Sequence, residues 1–564
     1  MGNSVRSLAA RSLGLTACLA LALVEPALAL DDPTLVQTPS GSVRGAAADD
    51  VIAFKGIPFA EPPVGALRWR APQPVPPWTG VLDTNAFAHD CMQPVVEFEP
   101  IATTPSEDCL YLNVWMPAYA DAGDELPVLV WIHGGGYVGG GTSIPFYDGS
   151  AFARQGIIVV SANYRLGRLG FFAHPALLAA AEDPVGNYGY LDQIAALRWV
   201  QESIGAFGGD PGRVTVMGES AGGGSVVALL TSPLASGMFH QAVVLSGGGR
   251  LPLVTRPLSG GNATAPSADQ VDADFAATFG IEGDDASALA ALRAVPAEQL
   301  VAALDLGAVL AAGLACAAAE IEDPTGYDPT CRPALSGVPV IDGTIVTTTP
   351  ERALLDGSAT NVPVIIGTTA ADLAEYFPPR VTDPYAWFGD DASAAERHYR
   401  LPFLARAALV LKGQSQLRDL LPVLSIGADM TMHEPARFVA RQTNAYGSPA
   451  WLYRFTYTAE STRPDSTRQT HAGELPFLFD QLPARYGDTV TAADERTAQA
   501  FSSYIGAFVR TGDPNGGGLP TWSAFDREAY ELLDFTLEDG PVFGPDPRAD
   551  GIRLVERVAD AQAQ

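Results

Sequence analysis

Five residues, Gly218-Glu219-Ser220-Ala221-Gly222, follow directly on a short apolar run, Val214 to Met217, and precede small residues able to open a helix. This order leaves the chain few choices. A serine held in a tight strand-to-helix turn projects its hydroxyl beyond the sheet edge, and glycines two before and two after keep neighbouring backbone out of its way. The helix that begins there aims its first N–H groups at the same place, where they stabilise negative charge developing on an oxygen. Glycine-x-serine-x-glycine alone is a weak pattern; in this setting it is specific.

The remaining periodicities agree with such a turn. Pro127–Ile132, Ile157–Ser161, Ala242–Leu245 and Val362–Gly367 are apolar runs, and Ala450–Phe455 is another interrupted by Arg454, the pattern of strands buried on both faces. Leu191–Phe207 places Ile194, Leu197 and Val200 at helical spacing. Cys109–Trp115 alternates as a strand, Ser42–Lys55 reads as an opening hairpin, and the Pro- and aromatic-rich Pro58–Trp78 as a surface-hugging loop. Strands alternating with helices predict an α/β fold with a large, mostly parallel central sheet and helices on both faces. From Ala263 to Ala334 the chain is Ala-rich and helical without clear strands, which predicts a helical cap over the site. No Gly/Ser or Pro linker and no internal repeat interrupts the chain, so residues 30–564 read as a single catalytic domain carrying the cap as an insertion around 263–334.

The segment Phe207–Gly223 resembles the serine signature of the type-B carboxylesterase and cholinesterase family of α/β-hydrolases. Glu107-Asp108-Cys109-Leu110-Tyr111-Leu112-Asn113-Val114-Trp115-Met116-Pro117 resembles a second signature of that family. Further similarity runs from Phe54–Ala60 to Thr511–Asn515, nearly the whole chain. The resemblance implies an α/β-hydrolase fold and hydrolysis of small-molecule carboxylic esters through an acyl-serine.

A serine hydroxyl is a poor nucleophile near neutral pH and needs a base, itself oriented by an acid. In this fold the order is serine, acid, histidine. Only His398, His433 and His471 lie beyond the expected acid loop. His471, in Thr470-His471-Ala472-Gly473-Glu474-Leu475-Pro476-Phe477, resembles the family's histidine segment, whereas the other two lack such a setting. Counting along the strand Pro363–Thr369 by resemblance places the acid at Asp372, with Glu375 as the alternative. The family more often has Glu there, preceded by an acidic residue and followed by Gly; this chain has Ala371 and Leu373. In Trp131-Ile132-His133-Gly134-Gly135-Gly136-Tyr137 the glycines let backbone N–H groups turn inward. By resemblance the oxyanion donors are the N–H groups of Gly135, Gly136 and Ala221, and His133 braces the loop. The resemblance also draws Glu219 and Ser246 into a hydrogen-bond network beneath the triad.

Arg6 and Arg11, the apolar run Leu13–Val24 and Ala27-Leu28-Ala29 have the order of a signal peptide over residues 1–29, giving a secreted or periplasmic protein. Leu15-Thr16-Ala17-Cys18 resembles a lipobox, which would anchor the chain instead. Four cysteines follow the leader, Cys91, Cys109, Cys316 and Cys331; proximity favours Cys91–Cys109 and Cys316–Cys331 among three pairings, and the resemblance supports the first pair. A formal charge of −30 excludes nucleic acid as a general electrostatic partner. No metal motif and no cofactor motif is present, and no stable membrane span is expected. Two other readings use the same residues: a lipase or amidase on the same triad, or a non-catalytic cholinesterase-like binding protein. Choline esters are disfavoured because the Cys91–Cys109 loop is short and lacks the Trp that cholinesterases carry there; its only aromatic residue is Phe98.

Overall fold

The computed structural model describes residues 32–94, 101–250, 256–262, 266–304, 307, 336–372, 385–402, 415–464, 468–538 and 540–563. Packing divides the chain into Met1–Pro33 and Thr34–Gln564, and the second unit holds everything below. The expected leader 1–29, Phe98, Cys316, Cys331 and Glu375 lie outside the described residues.

The strands run in chain order β1 (Leu35–Thr38), β2 (Gly41–Arg44), β3 (Ala46–Ala48), β4 (Val51–Pro58), β5 (Val81–Asp83), β6 (Tyr111–Pro117), β7 (Leu126–Ile132), β8 (Ile158–Ala162), β9 (Gly209–Glu219), β10 (Gln241–Leu245), β11 (Val364–Thr369), β12 (Ala450–Phe455), β13 (Glu531–Thr536) and β14 (Gly540–Pro545). Among the described residues they build an 11-stranded sheet, ordered β14-β13-β12-β11-β10-β9-β7-β8-β6-β4-β3, and a small sheet β1-β2-β5. Every pairing from β8 across to β13 is parallel, and the antiparallel pairs lie at the two margins. This is the α/β-hydrolase arrangement.

The continuous apolar runs follow from burial on both faces. Successive side chains of a strand point to opposite sides. Val128, Val130 and Ile132 of β7 therefore enter one core, with Ile194, Leu197 and Val200 of the helix Tyr188–Ser203 and with Val226 and Leu229 of the helix Ala221–Thr231. Leu129 and Trp131 enter the opposite core, with Phe501, Tyr504, Ile505 and Phe508 of the helix Ala492–Thr511. Because β7, β9, β10, β11 and β12 are parallel, the turns that follow them open on one edge of the sheet, where sites in such folds collect.

Two local expectations differ from the structure. The hairpin is formed by β3 and β4, Ala46 opposite Ala53, whereas residues 41–44 pair with β1 and β5 in the small sheet. Gly45 makes the break: a Cβ there would lie 2.7 Å from the Ala53 carbonyl oxygen. The helix expected over 191–207 begins earlier, at Tyr188, and ends in a 3₁₀ turn, Ile204–Phe207. In the Ala-rich region the described helices are Ala268–Ala277, Ala286–Ala294 and Ala297–Val301, sharing a core with Trp69 and Phe172; residues 305–306 and 308–335 are not among those described. Cys91 and Cys109 form a disulfide with Cα atoms 4.9 Å apart. No helix among the described residues is long and apolar enough to cross a membrane.

Candidate active site

Ser220 stands between β9 and the helix Ala221–Thr231 with φ 56° and ψ −121°, a conformation that costs a non-glycine residue free energy and persists only where its surroundings impose it. They do so closely. The Ser220 N–H donates to the Leu245 carbonyl (3.0 Å), and the Ser220 carbonyl accepts from the Gly224 N–H (2.8 Å). A Cβ on Gly218 would strike the backbone of Gly222, and one on Gly222 would strike the Ile132 carbonyl. The glycines therefore let the turn close against the end of β7.

The imidazole of His471 bridges two partners. Its Nε2 lies 2.8 Å from Ser220 Oγ and its Nδ1 2.5 Å from Asp372 Oδ1. In the neutral ring with the proton on Nδ1, that N–H donates to the carboxylate and Nε2 accepts from the serine hydroxyl. Asp372 is fully buried at the end of β11, and its other oxygen accepts from Ser246 Oγ (2.5 Å) and the Thr369 N–H (3.1 Å). The loops carrying acid and imidazole are joined directly: Ala371 pairs with Thr470 in an isolated β-bridge, and the Ala371 N–H donates to the Gln469 carbonyl (2.9 Å). Serine and imidazole, 251 residues apart in sequence, meet only through the fold.

The glycine loop after β7 abuts this group. A Cβ on Gly134 would lie 3.1 Å from Ser220 Cβ. Gly135, Gly136 and Tyr137 all have positive φ, at 103°, 63° and 65°. His133 is buried; its Nδ1 pairs with the Gly134 carbonyl (2.9 Å) and its ring stacks on Tyr164. Burial pushes its pKa down to about 4, so near neutrality the ring is uncharged and Nδ1–H is the donor. Ala221 opens its helix, where N–H groups have no acceptor within the helix.

Two further carboxylates face His471. Glu219 Oε1 lies 3.4 Å from Nε2. Glu474 is fully buried, and among the described residues its carboxylate finds no hydrogen-bond partner on another residue. Burial first, and Asp372 second, raise the Glu474 pKa to about 8, so it carries a proton near neutrality. Burial alone would lower His471; the charges of Glu219, Asp372 and Glu474 overcome it and raise the ring to about 10. The two shifts are linked, because each proton held by Glu474 removes one of the charges that stabilise the imidazolium. Glu474 stands in the histidine segment but carries no role in the sequence analysis: little in its pattern distinguishes a buried acid from one on the surface. Its offset of three from His471 is the one available signal.

A base needs an unprotonated imidazole, so a raised pKa moves the acid limb of kcat/KM to higher pH. Glu219→Gln keeps the volume and deletes one of the charges responsible, so the limb is expected to move to lower pH. Profiles of kcat/KM for both proteins on one p-nitrophenyl ester check this; an unmoved or alkaline-shifted limb contradicts it.

No group of three or more His, Cys, Asp or Glu side chains able to hold a metal is found among the described residues.

The carboxylesterase family model matches residues 32–542. The chain is 35% identical to the fumonisin B1 esterase of Sphingopyxis macrogoltabida over 94% of its own length and 92% of that protein's. It is also 35% identical to the para-nitrobenzyl esterase of Bacillus subtilis (strain 168), over 90% and 96%. A solved carboxylesterase of Geobacillus stearothermophilus superposes with a TM-score of 0.69 at 32% identity, covering 92% of this chain and 99% of that one.

Proposed function

The chain belongs to the carboxylesterase family and is a carboxylic ester hydrolase, and on that premise we propose that it works through an acyl-serine on Ser220, with His471 as general acid–base and Asp372 as the acid that orients it. The observation carrying this reading is the unbroken contact Ser220 Oγ–His471–Asp372, at 2.8 and 2.5 Å.

The steps follow from the protons. His471 Nε2 takes the hydroxyl proton as Oγ bonds to the ester carbonyl carbon, and the carbonyl π electrons move to oxygen. The imidazolium that forms lies against Asp372, whose charge offsets it. The oxyanion is held by the N–H groups of Gly135, Gly136 and Ala221; one such donor contributes about 2.7–4 kcal/mol in the transition state. When the tetrahedral species collapses, the C–O bond to the alcohol breaks and Nε2–H supplies the alcohol's proton. Water then repeats the cycle on the acyl-serine, giving up a proton to His471 and releasing the acid. No step uses a cofactor.

The remaining readings of this chain are proposals of the same kind. It is secreted or periplasmic, with residues 1–29 as leader, 30–564 as one catalytic domain, a cap around 263–334 and a second disulfide between Cys316 and Cys331. Its substrate is a small-molecule ester, and the para-nitrobenzyl and fumonisin esterases among its relatives support that class. Turnover of p-nitrophenyl esters of graded acyl length is expected to be fastest on short or medium chains. A fluorophosphonate is expected to stop that turnover and to add its mass to the peptide containing Ser220. Rising rates out to long acyl chains would instead favour a lipase, and full inhibition with the mass on another residue would contradict the assignment of Ser220.

A further inference from the structure

The glycine loop turns back on itself, and its return limb has an unusual partner. Residues 139–143 run beside 133–135: a Cβ on Gly140 would lie 2.6 Å from the Gly134 carbonyl oxygen and 2.8 Å from His133 Nδ1. The N–H groups of Val138 and Gly139 both donate to the Gly135 carbonyl, at 3.1 and 2.9 Å. A peptide group is planar and trans, so its C=O and N–H point in opposite directions. Binding the Gly135 carbonyl on the return side therefore turns the Gly136 N–H of the same peptide the other way. His133, through the Gly134 carbonyl, has the same effect on the Gly135 N–H.

What holds the return limb is the side chain of Gln93. Its Oε1 accepts from the Gly140 N–H (2.8 Å) and its Nε2 donates to the Gly140 carbonyl (2.6 Å), as a neighbouring strand would. The same Nε2 donates to the Cys91 carbonyl (3.0 Å), so the grip is anchored on the half-cystine. Gln93 is buried, leaving these groups no water to turn to. Asp90, on the other side of Cys91, accepts from the Ser143 hydroxyl, the Ser143 N–H (3.3 Å) and Thr103 Oγ1 (2.6 Å), fixing the far end of the limb.

We propose that Gln93 is a positioning residue for ester hydrolysis: by clamping both peptide groups of Gly140 it keeps the Gly139 N–H on the Gly135 carbonyl and thereby sets the direction of the Gly136 N–H that receives the oxyanion. The proposal rests on the oxyanion role given above to Gly135 and Gly136. Gln93 touches no reacting atom, and its effect on the reaction passes wholly through the glycine loop.

The test uses the full chain with its disulfide intact and a p-nitrophenyl ester that the wild type turns over well. Gln93→Met keeps the volume and deletes all three hydrogen bonds. Its kcat is expected to fall about 10–100-fold with KM within about threefold, the pattern of an interaction made only in the transition state. A trifluoromethyl ketone, whose serine adduct presents an oxyanion, is expected to bind more weakly by the same factor as kcat/KM falls. Gln93→Glu, which retains the acceptor for the Gly140 N–H but no donor, is expected to shift both quantities in the same direction, and it carries the comparison if Gln93→Met does not fold. An unchanged kcat in the folded variants, or a fall in kcat with ketone affinity unchanged, overturns the proposal. The arm with Ser220→Ala separates the two levels. If the ketone binds Ser220→Ala as tightly as wild type, the acyl-serine reading fails; if it needs Ser220 and ignores Gln93, only the role of Gln93 fails.

Discussion

Ser220→Ala is expected to lose about 10⁵–10⁶-fold in kcat on p-nitrophenyl esters, the size of loss that follows removal of a serine nucleophile from a comparable triad. The fold has little reason to change. Serine and alanine both carry a Cβ, so the positive-φ turn strains them alike, and the serine side chain caps no helix N–H that alanine would leave open. Asp372 keeps the imidazole in place without help from the hydroxyl. Near-wild-type melting, retained binding of a non-reactive ester analogue and almost no turnover form the expected set of results. Turnover within tenfold of the wild type would leave the acyl-serine route without its nucleophile.

Asp372→Asn is expected to cost about 10³–10⁴-fold in kcat, again with small loss of stability. The asparagine amide can still accept from Ser246 Oγ and the Thr369 N–H through its oxygen, which preserves the buried contacts of Oδ2. Its nitrogen would then face His471 Nδ1. Two donors cannot share that contact, so the ring is driven to the tautomer with its proton on Nε2, which points a hydrogen at Ser220 Oγ and cannot accept one. The matched variant Glu375→Gln is expected to stay within about threefold of wild type. A larger loss in Glu375→Gln than in Asp372→Asn would transfer the acid role to Glu375.

The parts of this structure that could be read in advance are those where one residue type has one physical use. Runs such as Val128–Ile132 and Val243–Leu245 are apolar at every position because both faces are covered, and they are the centre of the sheet. Glycines at 218 and 222 mark a turn with no room for side chains. The margins were less legible. β13 carries Asp534 and β14 consists of Gly-Pro-Val-Phe-Gly-Pro, so neither has the pattern of a buried strand; the pairing Leu533 opposite Phe543 supplies the order. At the site, the strand end at Thr369 and the loop around His471 pointed to side chains that do meet at hydrogen-bond distance. Glu474 and Gln93 were invisible for the same reason as each other. An acid and an amide are ordinary surface residues until tertiary structure buries them: Gln93 meets Gly140, 47 residues on, and Glu474 is buried by packing that its place three residues after His471 does not show.

The β-bridge between Ala371 and Thr470 bears on how such a polypeptide is made. On the ribosome Ser220 emerges long before His471, and Asp372 also precedes it; acid and imidazole come together only when residues 469–471 zip onto the segment just after β11. On the proposed acyl-serine route Ser220 has no base until that closure. On the proposed route a product terminated short of Thr470 would lack its base, and it is expected to turn over no ester.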